Sequence, residues 1–485
     1  MQNRSTSAAA ARTRPGDQTS AAATGSMDAA AAAAATLRKR PLSVHTAGSD
    51  GTFAATGARE HGELVSPSAR LVEDFYIVVV IGVATPVDLP AARAGIEAQL
   101  ARYPRFRSIQ VKDGSGRPRW VPTTVNLDDH IIYPRLDAAV VARDPDRAVE
   151  DYVATLSTLP MDESRPLWEF HVLDFPTSEA AATTAIRVHH SLGDGMSLLT
   201  LLMACTRSAA DPARLPAMPP APARTGAIWE RPRPPASAGA LALAAWAWSF
   251  VALAWHTAVD VASFLATILF LRDPHTLFKR ANHASRQRKR LVHRGLSLDD
   301  VKFVKNAMNC TVNDVLVGVT YAALSRYYFR KTGDADTSQE IRVRSILLVN
   351  LRPTTSLQAC LNMIESGKES DVKWGNELGF IILPFHIGLH DDPLQYVRKA
   401  KKIVDRKKSS LEVVFTHLAA EVILKIFGLK ALTVNFQSYV NTMMVNLAVD
   451  EAQFPDCHEL LDDFVESLRL IRGAASSLGK NHKND

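Results

Sequence analysis

Hydrophobic positions along this chain fall into two periods. From Phe75, "FYIVVVIGVAT" is a nearly continuous β-branched run, the pattern of a strand buried on both faces. "DLPAARAGIEAQLARYPRF" follows with helical spacing; Asp88 is placed to cap the helix and Pro90 falls in its first turn. "RPRWVPT", "PLWEFHVLDF" and "AATTAIRVHH" read as strands, and "PDRAVEDYVATLSTL" and "DGMSLLTLLMACT" as helices. A second series opens near Leu296. "SLDDVKFVKNAMN", capped by Ser297, and "TVNDVLVGVTYAALSRYYFRK", opened by Thr311 or Asn313, are helices; "EIRVRSILLVNLRP" and "WGNELGFIILPFHI" are strands. The stretch from "DDPLQYV" to "KIFGL" is helical. "ALTVNFQSYVNTMMVNLAVDEAQF" has the period of two of a β-hairpin, and "CHELLDDFVESLRLIRGAA" closes the chain as an amphipathic helix. The alternation predicts an α/β fold in two halves, 64–213 and 296–475.

The pattern breaks between the halves. Residues 214–237 are proline-rich and read as a linker. Residues 238–278 begin with an apolar run to Leu271 in which Asp260 is the only formally charged residue. Ala240 to Val259 alone is long enough to cross a bilayer core, and Trp246, Trp248 and Trp255 are residues favoured at lipid interfaces. Three readings stay open: a helix that spans or embeds, one that lies in the interface, or a core helix of a soluble protein. Residues 279–295 form a basic connector carrying Lys279, Arg280, Arg286, Arg288, Lys289, Arg290 and Arg294 without an acid, a charge pattern suited to anionic lipid head groups. The basic run has no interleaved aromatics and no nucleic-acid module surrounds it, so nucleic acid is not an expected partner.

Composition adds limits. With 485 residues the chain exceeds one ordinary core. Residues 1–60 are rich in Ala, Ser and Arg, with an alanine tract from Ala29 to Ala35, and lack the apolar residues needed to offset ordering entropy. They read as a disordered tail, with a transit peptide as the alternative; residues 476–485 read as a second flexible tail. The net charge is +6. Four cysteines, widely spaced and without a CxxC, suit a reducing, cytosol-facing environment.

The candidate chemistry sits in "TAIRVHHSLGDGMSLL", Thr184 to Leu199. Successive side chains on a strand face opposite ways, so His189 and His190 cannot both reach one site. One histidine and Asp194 are too few for a metal site, and no Cys or Glu stands at ligand spacing. A single imidazole facing a cavity suits a general base near neutral pH. There is no GxSxG-type nucleophile motif, so the attacking group would belong to the substrate. By itself, a histidine pair at a strand end is more often structural than catalytic.

"HHSLGDGMSLL" resembles the HHxxxDG signature of the plant wax ester synthase/diacylglycerol acyltransferase family, within the chloramphenicol acetyltransferase-like superfamily. The resemblance runs from Leu64 to Ala475 and includes "YPRF", "WVPTTVNLDDHI", "PLWEFHVLD", "RLVHRGLSLDDVKFVKNAMNCTVNDVLVGV", "LLVNLRP" and "NFQSYVNTMMVNLAVDE". It implies two chloramphenicol acetyltransferase-like domains, the CoA-dependent acyltransferase fold, with a hydrophobic helical segment between them and a channel at their junction. It implies acyl-CoA as substrate, a fatty alcohol or diacylglycerol as acceptor, membrane lipid as partner and no resident cofactor or metal. Carried over by position, His190 is the general base, His189 is supportive, Asp194 is structural through an arginine, and Gly195 keeps the tunnel open. Pro166, Leu167 and Trp168 shape the acyl channel. Asn313 and Asp314 lie at the domain interface, with helix capping as their alternative role. The implied location is the endoplasmic reticulum membrane, or also the plasma membrane, with catalytic domains facing the cytosol.

One departure stands out. "EVILKIFGLKA" runs directly into "LTVNFQSYVN", and a segment that the family pattern places between Ala431 and Leu432 is missing. The expectation is an unfilled sheet position in the second half. Two functions follow: an acyl-CoA-dependent O-acyltransferase making wax esters or triacylglycerol, or an impaired or dead membrane-associated homologue that binds lipid or a partner. A soluble alcohol acyltransferase would carry a DFGWG-like element, and only "WGNELGF" is present.

Overall fold

A computed structural model describes residues 63–70, 75–208, 211, 214–216, 233–270, 274, 276–278, 288–333, 341–351, 357–366, 374, 378–419 and 432–481. The N-terminal tail, most of the proline-rich linker, residues 279–287 of the basic connector, the final four residues and the Ala431 side of the join at Leu432 lie outside them.

In the first half, β1 (Glu63–Leu64) and α1 (Pro67–Arg70) precede β2 (Tyr76–Val83) and α2 (Leu89–Ala98). Asp88 caps α2 as expected, accepting from the Ala91 amide at 3.0 Å. β3 (Ser108–Lys112), β4 (Pro118–Pro122), β5 (Ile131–Ile132), α3 (Ala138–Arg143) and α4 (Pro145–Leu156) lead to β6 (Trp168–Leu173), β7 (Ala182–His189) and α5 (Gly195–Ala204). The main sheet runs β2-β7-β6-β5, with only β5 and β6 parallel; β1-β4-β3 form a small antiparallel sheet beside it. β2 was expected to be buried on both faces. Among the described residues it pairs with β7 alone and stands at the edge of the sheet, with Val80 and Ile81 exposed.

α6 (Gly239–Leu269) is a single helix of 31 residues. The end of the apolar segment then turns into the second half, where Phe278 packs on Tyr327, Tyr328 and Phe454.

In the second half, β8 (Lys289–Ser297) leads into α7 (Leu298–Ala307), capped by Ser297, and α8 (Val312–Thr332). β9 (Ile341–Asn350), α9 (Leu357–Ser366), β10 (Leu378–Ile387), α10 (Leu394–Lys408), α11 (Glu412–Leu418), β11 (Leu432–Tyr439), β12 (Thr442–Asp450) and α12 (Cys457–Asn481) complete the order. The stretch expected to be helical after "DDPLQYV" forms two helices, α10 and α11, parted at Ser409–Leu411; its end from residue 420 lies outside the described residues. α12 continues through residues 476–481, which were expected to be a tail, because Leu478 still packs on the core.

The basic connector needs correction. Its described part is β8, paired in register along β12. The sequence pattern predicts no strand there and sets its charge toward lipid head groups. In the fold Val292 and Leu296 point into the core, and Arg288 and Arg290 reach the first half. Arg290 meets Asp151 at 2.7 Å, Glu150 at 3.4 Å and Glu451, and Lys289 donates its amide to Ser157 Oγ at 2.9 Å. This cluster fastens the two halves together.

α8 is the centre of the second half, buried from Asp314 to Ser325. Each large side chain there contributes about 1.5–3 kcal/mol by leaving water. At Gly318 an added Cβ would lie 2.8 Å from the Val397 Cα, so glycine lets α10 close onto α8. Among the described residues the second half holds two separate sheets, β10-β9 and β11-β12-β8.

Candidate active site

β7 places Arg187 and His189 on one face, two residues apart. The strand ends at His189, and His190 opens a 3-10 turn, His190–Leu192. The separation of the two histidines therefore comes from a turn, not from the strand alternation expected of the sequence. His189 is buried and caps that turn: Ser191 N donates to its Nδ1 at 3.2 Å and Ser191 Oγ at 2.6 Å. Gln110 Nε2 in turn donates to Ser191 Oγ at 2.8 Å. With Nδ1 accepting, a neutral His189 carries its proton on Nε2. His190 is half-buried, and its amide donates to Phe75 O at 2.9 Å.

A buried polar ladder lies behind the turn. Glu169 and Arg187 are cross-strand partners, joined at 3.2 Å. Glu169 also accepts from His171 Nε2 at 3.1 Å, and Tyr152 OH and His171 Nδ1 share a hydrogen bond of 2.8 Å. Arg187 donates to Leu159 O, and its guanidinium lies 4.0 Å over the Tyr76 ring. The edge of Tyr76 meets His189 at 5.6 Å. Burial alone would raise the Glu169 carboxyl. The hydrogen bond and charge of His171, with Arg187, outweigh it and hold the group below its ordinary value. Burial raises the Tyr152 phenol well above its usual range.

Asp194 is fully buried and caps α5, accepting from Ser197 N at 2.9 Å. Gly195 starts α5, and an added Cβ there would meet nothing within 4 Å. Leu167 and Trp168 are core residues: Leu167 O accepts from the His189 amide at 2.9 Å, and Trp168 Nε1 donates to Phe106 O at 2.7 Å. Trp168 stacks on His130 at 4.0 Å, and burial lowers the His130 imidazole below its ordinary value. Pro166, Leu167 and Trp168 thus hold the strand that carries the motif.

Asn313 and Asp314 behave differently. Asn313 is exposed. Asp314 is buried in a reciprocal cap, taking the Thr311 amide at 2.8 Å while its own amide donates to Thr311 Oγ1 at 3.2 Å. Their described bonds stay within the first turn of α8.

Sequence reasoning missed Trp374. It comes from the second half, yet its Nε1 donates to Leu192 O at 2.5 Å and its ring lies 4.5 Å from that of Tyr103. An added Cβ at Gly193 would fall 3.1 Å from the Trp374 ring, which gives that glycine a packing reason. α9 also crosses over, with Leu357 and Cys360 in the first half's core. The motif turn is therefore closed by residues of both halves. The ladder residues had a usable signal: Glu169 with His171, and Arg187 with His189, repeat at two-residue intervals inside apolar strands. Trp374 had none at this level. Among the described residues, no group of three His, Cys, Asp or Glu is placed to hold a metal ion.

Comparison with known proteins gives a consistent result. Residues 80–316 match the profile of the wax ester synthase/diacylglycerol acyltransferase catalytic domain, and residues 374–432 and 428–472 match the WS/DGAT C-terminal domain in two pieces. Wax ester synthase/diacylglycerol acyltransferase 11 of Arabidopsis thaliana is 38% identical over 479 residues, covering 86% of this chain and 96% of the relative. Number 5 of the same series is 36% identical over 485 residues, with 85% and 94% covered. Among solved structures, a wax ester synthase/diacylglycerol acyltransferase from Marinobacter aquaeolei VT8 matches with TM-score 0.52 at 16% identity, covering 85% of this chain and all of the other. The first condensation domain of the CDA synthetase matches with TM-score 0.51 at 13% identity, covering 85% and 96%. These two structural matches establish the shared two-half α/β fold.

Proposed function

The chain belongs to the wax ester synthase/diacylglycerol acyltransferase family of acyltransferases, and from that premise we propose that it transfers a fatty acyl group from acyl-CoA to the hydroxyl of a long-chain alcohol or of diacylglycerol. The observation that carries this reading is the turn at His190. His189 is turned inward and locked by Ser191 and Gln110, while His190 stays half-buried at the junction of the halves. His190 acts as the general base. It takes the acceptor's hydroxyl proton as the oxygen attacks the thioester carbonyl. The C–S bond then breaks, and the departing thiolate takes the proton from His190, leaving ester and free coenzyme A. α5 begins five residues beyond His190, so the positive end of its dipole favours the negative charge of the tetrahedral intermediate. His189 is a positioning residue, Asp194 fixes the start of α5, and Gly195 leaves space for the acyl chain. Pro166, Leu167 and Trp168 keep the motif strand in place. Work at the endoplasmic reticulum membrane, and at the plasma membrane, fits oily substrates; the catalytic halves then face the cytosol.

The test is lipid-product analysis in yeast lacking neutral lipids and fed fatty alcohol. Wild type should form wax ester, and His190→Ala should form about 100-fold less or lower still. Wax ester made by His190→Ala at the wild-type rate would overturn the assignment.

One observation favours a second reading, an inactive lipid-binding homologue. The family's C-terminal profile meets the chain in two pieces that overlap at residues 428–432, and among the described residues β11 pairs with β12 alone. We read the missing segment as belonging at this place. Restoring that segment from genomic sequence and finding both forms equally inactive would favour the binding protein.

A further inference from the structure

α6 is polarised in the opposite sense to an ordinary surface helix. Surface helices turn apolar side chains inward and polar ones to solvent. Here the polar side chains of the central turns face the protein. His256 Nδ1 meets Ser409 Oγ at 2.7 Å, Thr257 Oγ1 accepts the Leu411 amide at 3.0 Å, and Asp260 accepts from Arg406 at 2.6 Å and Lys407 at 3.0 Å. All four partners belong to the α10–α11 junction. Lys407 continues to Glu412 at 2.7 Å, so Asp260 is tied into a buried charge cluster. Phe264 completes the seat against Phe415.

The opposite face is apolar from end to end. Leu241 is 88% exposed, Trp248 69%, Trp255 68% and Leu269 64%; Val251, Ala258, Ala262 and Leu265 fill the same stripe at steps of three or four residues. At 1.5 Å per residue, 31 residues make a rod about 46 Å long.

We propose that α6 lies in the plane of an anionic phospholipid membrane, its apolar stripe immersed and its Asp260 face bound to the second half, rather than crossing the bilayer. Length and hydropathy alone would allow a crossing. The seat does not. A perpendicular helix would carry Asp260, Arg406, Lys407 and Glu412 into hydrocarbon, where each charged group costs about 2.5 kcal/mol or more. Lying flat, the stripe needs immersion of only about 5–10 Å. Charge argues for lipid over a protein partner. Arg406 and Lys407 already answer Asp260 and Glu412; the further cations are Lys408, the next residue of α10, and Lys279, Arg280 and Arg286, which follow α6 in sequence with no acid among them. Cations beside an apolar stripe with two indoles match a phosphate-bearing interface.

This inference rests on the membrane placement proposed above, but not on catalysis, so its test reads binding. The full chain is sedimented with vesicles of phosphatidylcholine containing phosphatidylserine. Wild type and His190→Ala should bind alike, and Trp248→Glu and Trp255→Glu should each weaken binding at least about tenfold with the melting temperature unchanged. Binding unaffected by both tryptophan changes would overturn the proposal, as would loss of self-association, instead of lipid binding, on making them. In sealed microsomes, Ser237→Cys and Lys302→Cys, exposed positions on either side of α6, should each react with an impermeant maleimide from the cytosolic side above the wild-type background. Reaction of either one only after permeabilisation would mean that α6 spans, and would overturn the in-plane reading while leaving membrane placement intact. Failure of His190→Ala to lose activity would instead overturn the catalytic reading alone.

Discussion

Two clusters of buried charge can be set side by side. One, Glu169 with His171 and Arg187, lies behind the motif turn; the other, Asp260 with Arg406, Lys407 and Glu412, lies beneath α6. Both incur the desolvation that makes buried ion pairs poor sources of stability. They differ in how the carboxylates are served. Glu169 receives His171 and Arg187 for itself, and its pKa falls despite burial. Glu412 shares Lys407 with Asp260; burial and the neighbouring Asp260 charge leave its pKa raised, against the pull of Lys407. The first cluster joins cross-strand neighbours and ends, through Tyr76, at His189. The second joins residues from distant parts of the chain. The same costly chemistry thus positions an imidazole in one place and fastens a helix in the other.

The largest expected effect tests the first cluster. Arg187→Met strands a buried Glu169 and removes the donor to Leu159 O, and should cost about 3–5 kcal/mol. The check is the urea midpoint, compared with that of His190→Ala, which should unfold like wild type. A loss under about 1 kcal/mol would mean that Glu169 is held without its guanidinium.

Lys407→Met should do less, about 2 kcal/mol, because Asp260 keeps Arg406 and Glu412, whose pKa is already raised, takes up a proton in place of its lysine. Its effect should also be local. Amide exchange in α6 should accelerate while β6 and β7 stay protected; equal acceleration in both would erase the distinction between fastening and positioning.

The smallest effect is one of pH: Glu169 and Glu412 should respond with opposite sign, whereas Asp260, in the second cluster, titrates below its ordinary value as Glu169 does. Glu169 titrates below its ordinary value when folded, so its contribution is present above that value and is lost as pH falls through the folded pKa. Glu412 titrates above its ordinary value, so its contribution is complete below that value and is lost as pH rises through the folded pKa. Acidification should therefore first tighten the Glu412 side of the α6 seat, and only at lower pH, as Asp260 and Glu169 take up protons, loosen the seat and the motif sheet together. Hydrogen exchange followed from about pH 7 to pH 4 should show the two regions diverging.

Much of this was readable where the determinants are local. Asp88 and Ser297 cap the helices that they precede, and the alternation in "LTVNFQSYVNTMMVNLAVD" became the β11–β12 hairpin. The motif itself was legible, down to the buried Asp194. What escaped depends on partners far along the chain. β8 reads only as a basic connector because its arginines are balanced by Asp151 and Glu451, which the sequence does not place beside them. Trp374 closes the motif turn from a segment 182 residues beyond Leu192. The helical period after "DDPLQYV" gave no sign of the break at Ser409–Leu411, where the chain turns to meet His256 and Thr257.

The spacing of Asp260 and Arg406 also has a consequence during biosynthesis. They are 146 residues apart. At about 5–20 residues per second, some 7–30 s pass between the emergence of the aspartate from the ribosome and that of its arginine. Throughout that interval α6 is a finished apolar rod with no seat. Its apolar stripe and its Asp260 face are both uncovered until α10 has been made.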